Sequence, residues 1–260
     1  MTAKNNASCV SFCTTCMNRL EYFKKTFFKN YKAASENLKN FEFVLVDYGS
    51  TDGLSDYIRT NIFIKKLIKN KKFKLVRVEA KYFKEANSKN IAHYYSCGDI
   101  VVNVDVDTFI DKRYIVELLK IKHNEFLTTI TKINDVAGRI AMFKENFIKL
   151  GGYNENKKNI VTRSFIDSDL KLRAEKSGIK KVIYDHKFIK FLYNTNKERN
   201  ENYEAASNSY TDNEITDKNA ERDTLECLKN NKLIAKPTGF KQDVIINFKD
   251  KNEYRGILTK

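Results

Sequence analysis

The stretch Asp99-Ile100-Val101-Val102-Asn103-Val104-Asp105-Val106-Asp107 places an apolar, β-branched run directly before two carboxylates. Such a run is typical of a strand that is covered on both faces, as the central strands of a parallel sheet are. In extended chain Asp105 and Asp107 project to the same side, so both can reach one divalent cation. Residues 99–107 therefore predict a buried strand that ends in a metal site.

The residues before this stretch alternate between strand and helix patterns. We expect strands over residues 9–13, 41–46 and 73–78, and helices over 18–31, from Leu54, and over 88–95 with Ser88 as cap. This alternation predicts a parallel α/β sheet, whose ligands bind at the carboxyl ends of the strands. Polar clusters follow two of these strands and the strand that precedes Asp105, at residues 14–19, 47–52 and 105–107.

The residues after it complete one domain. A strand is expected over 138–143, a turn at Gly151-Gly152, a helix over 167–176 and a strand over 182–184. We expect one Rossmann-like α/β domain over residues 1–195, with a mostly parallel central sheet and flanking helices. Residues 196–260 are rich in Asn, Asp, Glu and Lys, and are expected to form a helical or irregular extension packed on the core.

Composition excludes several classes of protein. With 260 residues, 42% of them hydrophobic and only one proline, the chain is long enough for a sizeable core and is not low-complexity. Its net charge of +15 fits either a solvated lysine-rich surface or attraction to an anionic partner. No run reaches the roughly 18 apolar residues of a membrane span. The polar residues 1–7 predict no secretory signal.

The five cysteines are an odd number, which argues against a disulfide framework and for a reducing cytoplasm. Cys9, Cys13 and Cys16 have the spacing of radical enzymes that bind an iron–sulfur cluster. Cluster ligands must converge from a loop, whereas Cys9 and Cys13 lie in a predicted strand. The spacing therefore favours small core side chains.

Other polar groups have two readings each. The loop over residues 47–53 fits nucleotide recognition by Asp47 or the cap of the next helix. Asp167 and Asp169 fit charges at a helix start, or a general base for an acceptor hydroxyl. Among the three histidines, His93 is expected to be structural or near a phosphate, His123 to end a helix, and His186 to be structural or a third metal ligand.

Taken in order, these clusters resemble the family-2-type inverting glycosyltransferases with the A-type nucleotide-binding fold, over about residues 8 to 200. The segments 12–19, 44–53, 88–93 and 102–107 resemble that family's donor-side motifs. Gly138-Arg139-Ile140-Ala141 and Gly151-Gly152-Tyr153-Asn154-Glu155 are similar to the acceptor-side segment of bacterial chondroitin polymerases and animal galactosyltransferases.

The resemblance implies roles for individual residues. Mn²⁺ or Mg²⁺ would be held by Asp107 with Asp105, and Asp167 would be the catalytic base. The acceptor would meet Gly151, Gly152 and Asp169. The donor, a UDP-sugar, would be bound by the following residues: Thr14, Thr15, Asn18, Arg19, Asp47, Ser50, Lys89, Asn90, Asp105 and Val106.

The sequence departs from the family pattern at two places. Ile166 stands where the motif before the base has a glutamate, and Arg163-Ser164-Phe165 replace the usual tryptophan and glycines. Where relatives carry a metal-binding histidine after the last core strand, this chain has Asn194. Either His186 substitutes as a ligand, or Asp107 and the diphosphate hold the metal alone.

The predicted function is metal-dependent transfer of a hexose or N-acetylhexosamine to a hydroxyl of a glycan or lipid-linked glycan. The protein would be cytoplasmic, with peripheral contact to an anionic inner membrane and no nucleic-acid partner. One alternative is a sugar-phosphate nucleotidyltransferase, although residues 14–19 lack the glycines of its triphosphate loop. The other is a non-enzymatic basic protein that binds nucleic acid or membrane.

Overall fold

The computed structural model describes residues 9–129, 138–155, 166–204, 237–239 and 244–247. Residues 1–7 and 163–165, which entered the sequence predictions, lie outside this part, as does most of the predicted extension.

An eight-stranded sheet in the order β10-β3-β2-β1-β4-β7-β6-β8 forms the centre of the molecule. Neighbours are parallel from β3 through β2 and β1 to β4, and again between β6 and β8. β7 runs antiparallel to both of its neighbours, and β10 antiparallel to β3. The bounds are β1 Val10–Cys16, β2 Phe41–Tyr48, β3 Phe73–Val78, β4 Ile100–Asn103, β6 Glu125–Thr128, β7 Ala141–Phe143, β8 Lys180–Ile183 and β10 Ile245–Ile246. The predicted mostly parallel α/β sheet is confirmed.

Helices cover both faces of this sheet. One core joins the sheet to α1 Leu20–Asn37, α2 Leu54–Thr60, α3 Ile62–Lys69 and α5 Lys112–Lys120. A second core, on the other face, joins it to α4 Glu85–Tyr94, α6 Lys144–Lys149 and α7 Ile166–Lys176. The helix α8 Asn196–Asn200 follows a separate two-stranded sheet of β5 Thr108–Ile110 and β9 Ile189–Phe191.

Two local predictions are corrected. β1 continues three residues beyond Cys13, so Thr14 and Thr15 are strand residues paired with Leu45 and Val46 and do not belong to a loop. α4 begins at Glu85, and the Ser88 hydroxyl donates to the Glu85 carbonyl at 2.9 Å. Ser88 is therefore inside the helix and does not cap it.

The loop after β2 makes one close approach that requires glycine. Gly49 has φ +78°, and a Cβ there would lie 2.1 Å from the carbonyl oxygen of Ala80. Only glycine allows both the left-handed conformation and this contact. The loops that follow β2 and β3 are thereby held against each other at the carboxyl ends of their strands.

Candidate active site

Asp105 and Asp107 follow the carboxyl end of β4 and share one buried cation. The Arg139 guanidinium, only 5% exposed, lies 2.8 Å from Asp105 Oδ2 and 3.3 Å from Asp107 Oδ1. Asn103 Nδ2 donates to Asp105 Oδ1 at 3.0 Å, which orients that carboxylate from β4. The two predicted carboxylates are thus brought together, with an arginine between them that the spacing argument had passed over.

Burial raises the pKa of Asp107, and the neighbouring Asp105 raises it further, while Arg139 opposes both effects. A carboxylate in this setting gains from any additional cation, because the cation would replace hydration that the fold has removed. The pKa of Asp107 stays raised although Arg139 lies beside it, so Arg139 compensates the negative charge of the two carboxylates only in part.

The oxygen-rich donor set beside Asp107 fits a hard divalent cation. Asn194 Nδ2 donates to Asp107 Oδ2, whereas the buried Asn194 Oδ1 has no hydrogen-bond partner among the described residues. Two carboxylates and an unpartnered carboxamide oxygen are the ligand types that Mg²⁺ and Mn²⁺ prefer. Asn194 thus lies where the sequence comparison had located it.

His186 does not join this group. It begins a short 3₁₀ turn over His186–Phe188, and its Nδ1 lies 3.4 Å from Asp185 Oδ1. No cluster of three His, Cys, Asp or Glu side chains able to hold a metal occurs within the described residues. The predicted set of Asp105, Asp107 and His186 is therefore not assembled, since the turn keeps His186 with its own cap residue.

Asp167, the predicted base, lies at the start of α7 and pairs with a buried lysine. Lys89 Nζ, on α4, is 3.1 Å from Asp167 Oδ1 and 2.8 Å from Glu85 Oε1. Burial alone would lower the pKa of Lys89, but Asp167 and Glu85 outweigh it and raise that pKa well above its ordinary value. The ammonium group is thus permanently charged and fixes the position of the Asp167 carboxylate.

Asp167 itself remains partly accessible, with 23% of its side chain exposed. Its pKa is raised by burial and by the charges of Glu85 and Asp105, against the opposing effect of Lys89. A raised pKa makes the carboxylate a stronger proton acceptor. Because Asp105 acts on both Asp167 and Lys89, the cation site and the predicted base form one electrostatic unit.

The two predicted donor residues on α4 are used inside the fold. Asn90 is fully buried, accepting from Tyr153 N at 2.7 Å and donating to Tyr153 O at 2.9 Å. Lys89 is 2% exposed and occupied by its two carboxylates. Both residues hold the segment around Tyr153 and Asp167 in place, and neither is open to a ligand.

The Asp47 carboxylate organises the loop after β2 from within. It is fully buried, accepts from Ser50 N at 3.0 Å, and accepts from Arg77 Nη1 at 2.7 Å. Ser50 Oγ in turn accepts from Asn18 N at 3.0 Å, so the loops after β1 and β2 are joined. The sequence did not indicate the role of Arg77, because a charged residue within a strand is expected to point into solvent and not towards Asp47.

Residues 201–204 lie against the loops that the sequence assigned to the donor. Arg19 pairs with Glu201 at 3.2 Å, and Asn18 Nδ2 donates to Asn202 Oδ1 at 2.9 Å. Asn202 Nδ2 also reaches the Met17 carbonyl at 3.0 Å. Thr14 and Thr15 are half-buried in β1, whereas Val106 is buried in the core, with its carbonyl accepting from Thr26.

A cavity of about 400 Å³ opens beside these loops, at the carboxyl ends of β2 and β3. Its walls come from the loop after β3, from α4 and from the segment 237–239: Tyr48, Glu79, Ala80, Lys81, Tyr82, Lys84, Asn87, Glu155, Glu204 and Thr238. None of the predicted donor residues lines it.

The predicted acceptor residues are corrected by their burial. Asp169 is 1% exposed and pairs with the equally buried Arg173 at 2.6 Å. Arg173 then donates to the carbonyl oxygens of Leu150 and Gly152, each at 2.7 Å. Gly151 and Gly152 are buried in the turn that ends α6, with φ of 71° and 67°. The three residues form a structural joint between α6 and α7, closed to an acceptor.

Cys13, Cys16 and His93 also have structural roles. Cys13 and Cys16 are buried in the two different cores, on opposite faces of the sheet, so their thiols cannot converge on one cluster. His93 is 2% exposed, stacks on Phe147 and donates from Nδ1 to the Lys89 carbonyl at 2.7 Å. Burial lowers its pKa to about 3, so this ring is neutral at physiological pH.

The sequence model of the family described as "Glycosyl transferase family 2" matches residues 11–177. That range begins in β1 and ends just past α7, and so contains Asp105, Asp107 and Asp167. No curated protein resembles the chain closely enough in sequence to count as a match.

Solved structures share the fold. One is the mannosyltransferase PcManGT from Pyrobaculum calidifontis in complex with GDP-Man and Mn²⁺, with TM-score 0.56, 19% identity, and coverage of 70% of this chain and 56% of that one. Another is TarS 1-349 of S. aureus in complex with UDP-GlcNAc, with TM-score 0.56, 14% identity, and coverage of 73% and 60%. The chain thus spans less than two thirds of the length of these two proteins.

Proposed function

This chain belongs to glycosyl transferase family 2, and we propose that it moves a hexose or N-acetylhexosamine from a UDP-sugar to a hydroxyl group of a glycan or glycolipid, with inversion. The observation that carries the proposal is the electrostatic unit of Asp105, Asp107, Arg139, Lys89 and Asp167 at the carboxyl end of β4. This group of charged side chains contains both a cation site and a base of raised pKa.

The donor diphosphate belongs at the cation site. Asp105, Asp107 and the unpartnered oxygen of Asn194 would hold Mn²⁺ or Mg²⁺, and Arg139 adds a second positive charge. When bound, the divalent ion supplies charge neutralisation for the departing diphosphate. PcManGT, which shares this fold, was solved with Mn²⁺ and a nucleotide-sugar.

The nucleoside belongs at the neighbouring loops, where Asn18 and Arg19 follow β1. These side chains are bound by Glu201 and Asn202 in this structure. Donor binding at this place therefore requires residues 201–202 to exchange their contacts for the nucleotide. Asp47 and Ser50 fix the conformation of the loop after β2 through their hydrogen bonds.

Asp167 is assigned the base. Its carboxylate takes the proton of the acceptor hydroxyl as the oxygen forms a bond to the anomeric carbon. The bond from that carbon to the diphosphate oxygen breaks, and its electron pair leaves with the nucleoside diphosphate. Attack opposite the leaving group inverts the anomeric configuration. Lys89 holds the carboxylate in position and is not itself a reacting group.

A screen of donor hydrolysis with Mn²⁺ present tests the proposal. UDP-galactose, UDP-N-acetylgalactosamine and UDP-N-acetylglucosamine are compared with GDP-mannose, and release of nucleoside diphosphate is measured. We expect release from at least one UDP-sugar, and loss of that activity in Asp107→Ala. Asp56→Ala is the matched control, since Asp56 lies exposed on α2 and pairs with Arg59 on the same helix.

Two outcomes would contradict the proposal. Full activity in Asp107→Ala would remove the assigned cation site. Release of pyrophosphate from a nucleoside triphosphate and a sugar phosphate, without hydrolysis of any nucleotide-sugar, would identify a nucleotidyltransferase instead. The acceptor would then have to be sought among sugar phosphates.

A further inference from the structure

The outer surface of α1 and α3 exposes large apolar side chains. Ile62 is 85% exposed, Phe63 39% and Phe28 36%. The rings of Phe28 and Phe63 lie 5.6 Å apart, so the two helices present one continuous apolar area. Exposing this area to water costs free energy that a partner surface would recover.

Lysines surround that area. α1 and α3 together contain seven lysines and two glutamates, and α3 contains no acidic residue. Lys65, Lys66 and Lys69 are exposed, and none has an acidic partner within 4.0 Å among the described residues. Ile64 and Leu67 point into the core, which leaves Ile62 and the three lysines outward.

Next to them, α1 contributes a matching pattern. Lys25 and Lys32 lie one turn before and after Phe28 on the outer side of the helix, and both are exposed. The acids nearest to this surface are already engaged: Glu36 lies 3.8 Å from Lys32, Glu21 pairs with Lys24, and Asp56 pairs with Arg59. The surface therefore carries a net positive charge around its apolar centre.

We propose that this basic–aromatic face, formed by Phe28, Ile62, Phe63, Lys25, Lys65, Lys66 and Lys69, binds the surface of an anionic lipid bilayer. Ile62 and Phe63 would enter the headgroup region, and the lysines would meet the anionic headgroups. Nucleic acid fits this face less well, because contacts with phosphate groups would not bury the apolar side chain of Ile62, which is 85% exposed.

No helix in the described part of the chain is long and apolar enough to cross a bilayer. The consequence for activity rests on the proposed function. The membrane would then lie beside α1, whose first residue directly follows Asn18 and Arg19 of the proposed donor site. The binding itself does not depend on transfer.

Tryptophan fluorescence tests the face directly, because the chain contains no tryptophan. Ile62→Trp places a single reporter at a highly exposed position. We expect a blue shift with phosphatidylglycerol vesicles and none with phosphatidylcholine vesicles. The control is Ile183→Trp, at a 54% exposed site on β8, the sheet edge farthest from β3 and α3.

Charge reversal tests the lysines. Vesicle co-sedimentation of Lys65→Glu/Lys66→Glu/Lys69→Glu is compared with Lys122→Glu/Lys176→Glu/Lys180→Glu, three exposed lysines near β6 and β8. Because each substitution removes a positive charge and adds a negative one, a loss of at least roughly fivefold in partitioning for each lysine near the membrane is expected, for the first set only. Equal losses in both sets would show diffuse attraction and overturn the proposal.

Two further results would also overturn it: no shift in Ile62→Trp with anionic vesicles, or a shift with RNA and none with vesicles. Donor hydrolysis in solution without lipid is measured on the same variants. It reports on the proposed function alone, so failure of the membrane face and failure of the active site are read separately.

Discussion

Asp167 shares one lysine with Glu85, and this arrangement sets its protonation. The pKa of Asp167 is raised by burial, and the charges of Glu85 and Asp105 add to the effect. A base must be ionised, so activity should rise as pH increases through this raised pKa. The folded state, in contrast, loses stability over the same range, because it disfavours the ionised form.

The acid limb of the pH–rate profile for transfer is therefore expected above the ordinary range of an aspartate. Glu85→Gln removes one of the negative charges that raise the pKa, so the limb should move to lower pH. Glu145→Gln, at an exposed site paired with Lys149 and His123, is the control and should leave the limb unchanged. An identical limb in Glu85→Gln would assign the base to another group.

Gly138 gives Asp167 the space it occupies. A Cβ at Gly138 would lie 2.6 Å from Asp167 Oδ2 and 3.1 Å from its Cγ. Gly138 is not among the glycines with positive φ, so alanine is compatible with its backbone. We expect Gly138→Ala to push the carboxylate away from its position and lower kcat at least about tenfold, a cost of roughly 1.4 kcal/mol.

The affinity for UDP, measured by calorimetry with Mn²⁺, should remain unchanged in Gly138→Ala, because the substitution lies at the base and not at the cation site. An equal loss of UDP affinity and of kcat would mean that the variant disturbs the whole pocket. Unchanged kcat would show that Asp167 need not stay where the structure has it.

At the level of elements, the local sequence pattern predicts what depends on neighbours along the chain. The apolar run before Asp105 predicts β4, and residues 73–78 coincide with β3. The short β5, β9 and β10 have too few residues for a pattern, and their pairing comes from distant segments. Likewise Lys89 and Asp167 are 78 positions apart, so their contact is visible only in the fold.

The role of Arg139 likewise could not be predicted from the sequence. Its sequence neighbours resembled an acceptor-side segment, and nothing in their spacing indicated a salt bridge to Asp105 and Asp107. Asn90 and Asp169 were predicted to bind ligands, but both are buried. The identity of a polar residue in a motif does not tell whether it faces a ligand or the core. Polar side chains that are fully paired inside the protein need tertiary information to be recognised.

The joint between α6 and α7 gives a prediction at this scale. Asp169→Ala would leave the buried Arg173 without its carboxylate, although Arg173 would keep the carbonyls of Leu150 and Gly152. Breaking a buried ion pair in this way costs about 3–5 kcal/mol of the free energy of unfolding. Urea denaturation measures it, and Asp56→Ala, at an exposed site on α2, is the control.

At urea concentrations well below the unfolding midpoint, Asp169→Ala should retain its activity, because Asp169 is buried and the acceptor cannot reach it. A stable variant with a raised KM for the acceptor would restore Asp169 to the binding site. This outcome separates the structural role from the one that the family resemblance implied.

For the whole molecule, residues far along the chain return to the core. Glu155 accepts from Gly239 N at 3.1 Å and from Thr238 N at 3.2 Å, while its other contacts reach Asn87 and Asn90 on α4. β10 then adds to the edge of β3, where Asn247 and Leu75 exchange two hydrogen bonds. The division at residue 195 remains a prediction, and these contacts cross it.

A chain ending at residue 236 would lose both the Glu155 contacts and β10, whereas a chain ending at 247 keeps them. The first would leave the Glu155 carboxylate with fewer donors and the backbone of β3 unpaired at an edge, each a cost when the groups are not fully rehydrated. We expect the chain ending at 236 to melt at a lower temperature than the chain ending at 247, by circular dichroism. Glu155→Ala in the full chain should lower the melting temperature in the same direction, since it removes the carboxylate that joins α4 to residues 238–239. Equal melting temperatures for the two truncated chains would show that the fold through residue 204 is stable without its C-terminal edge strand.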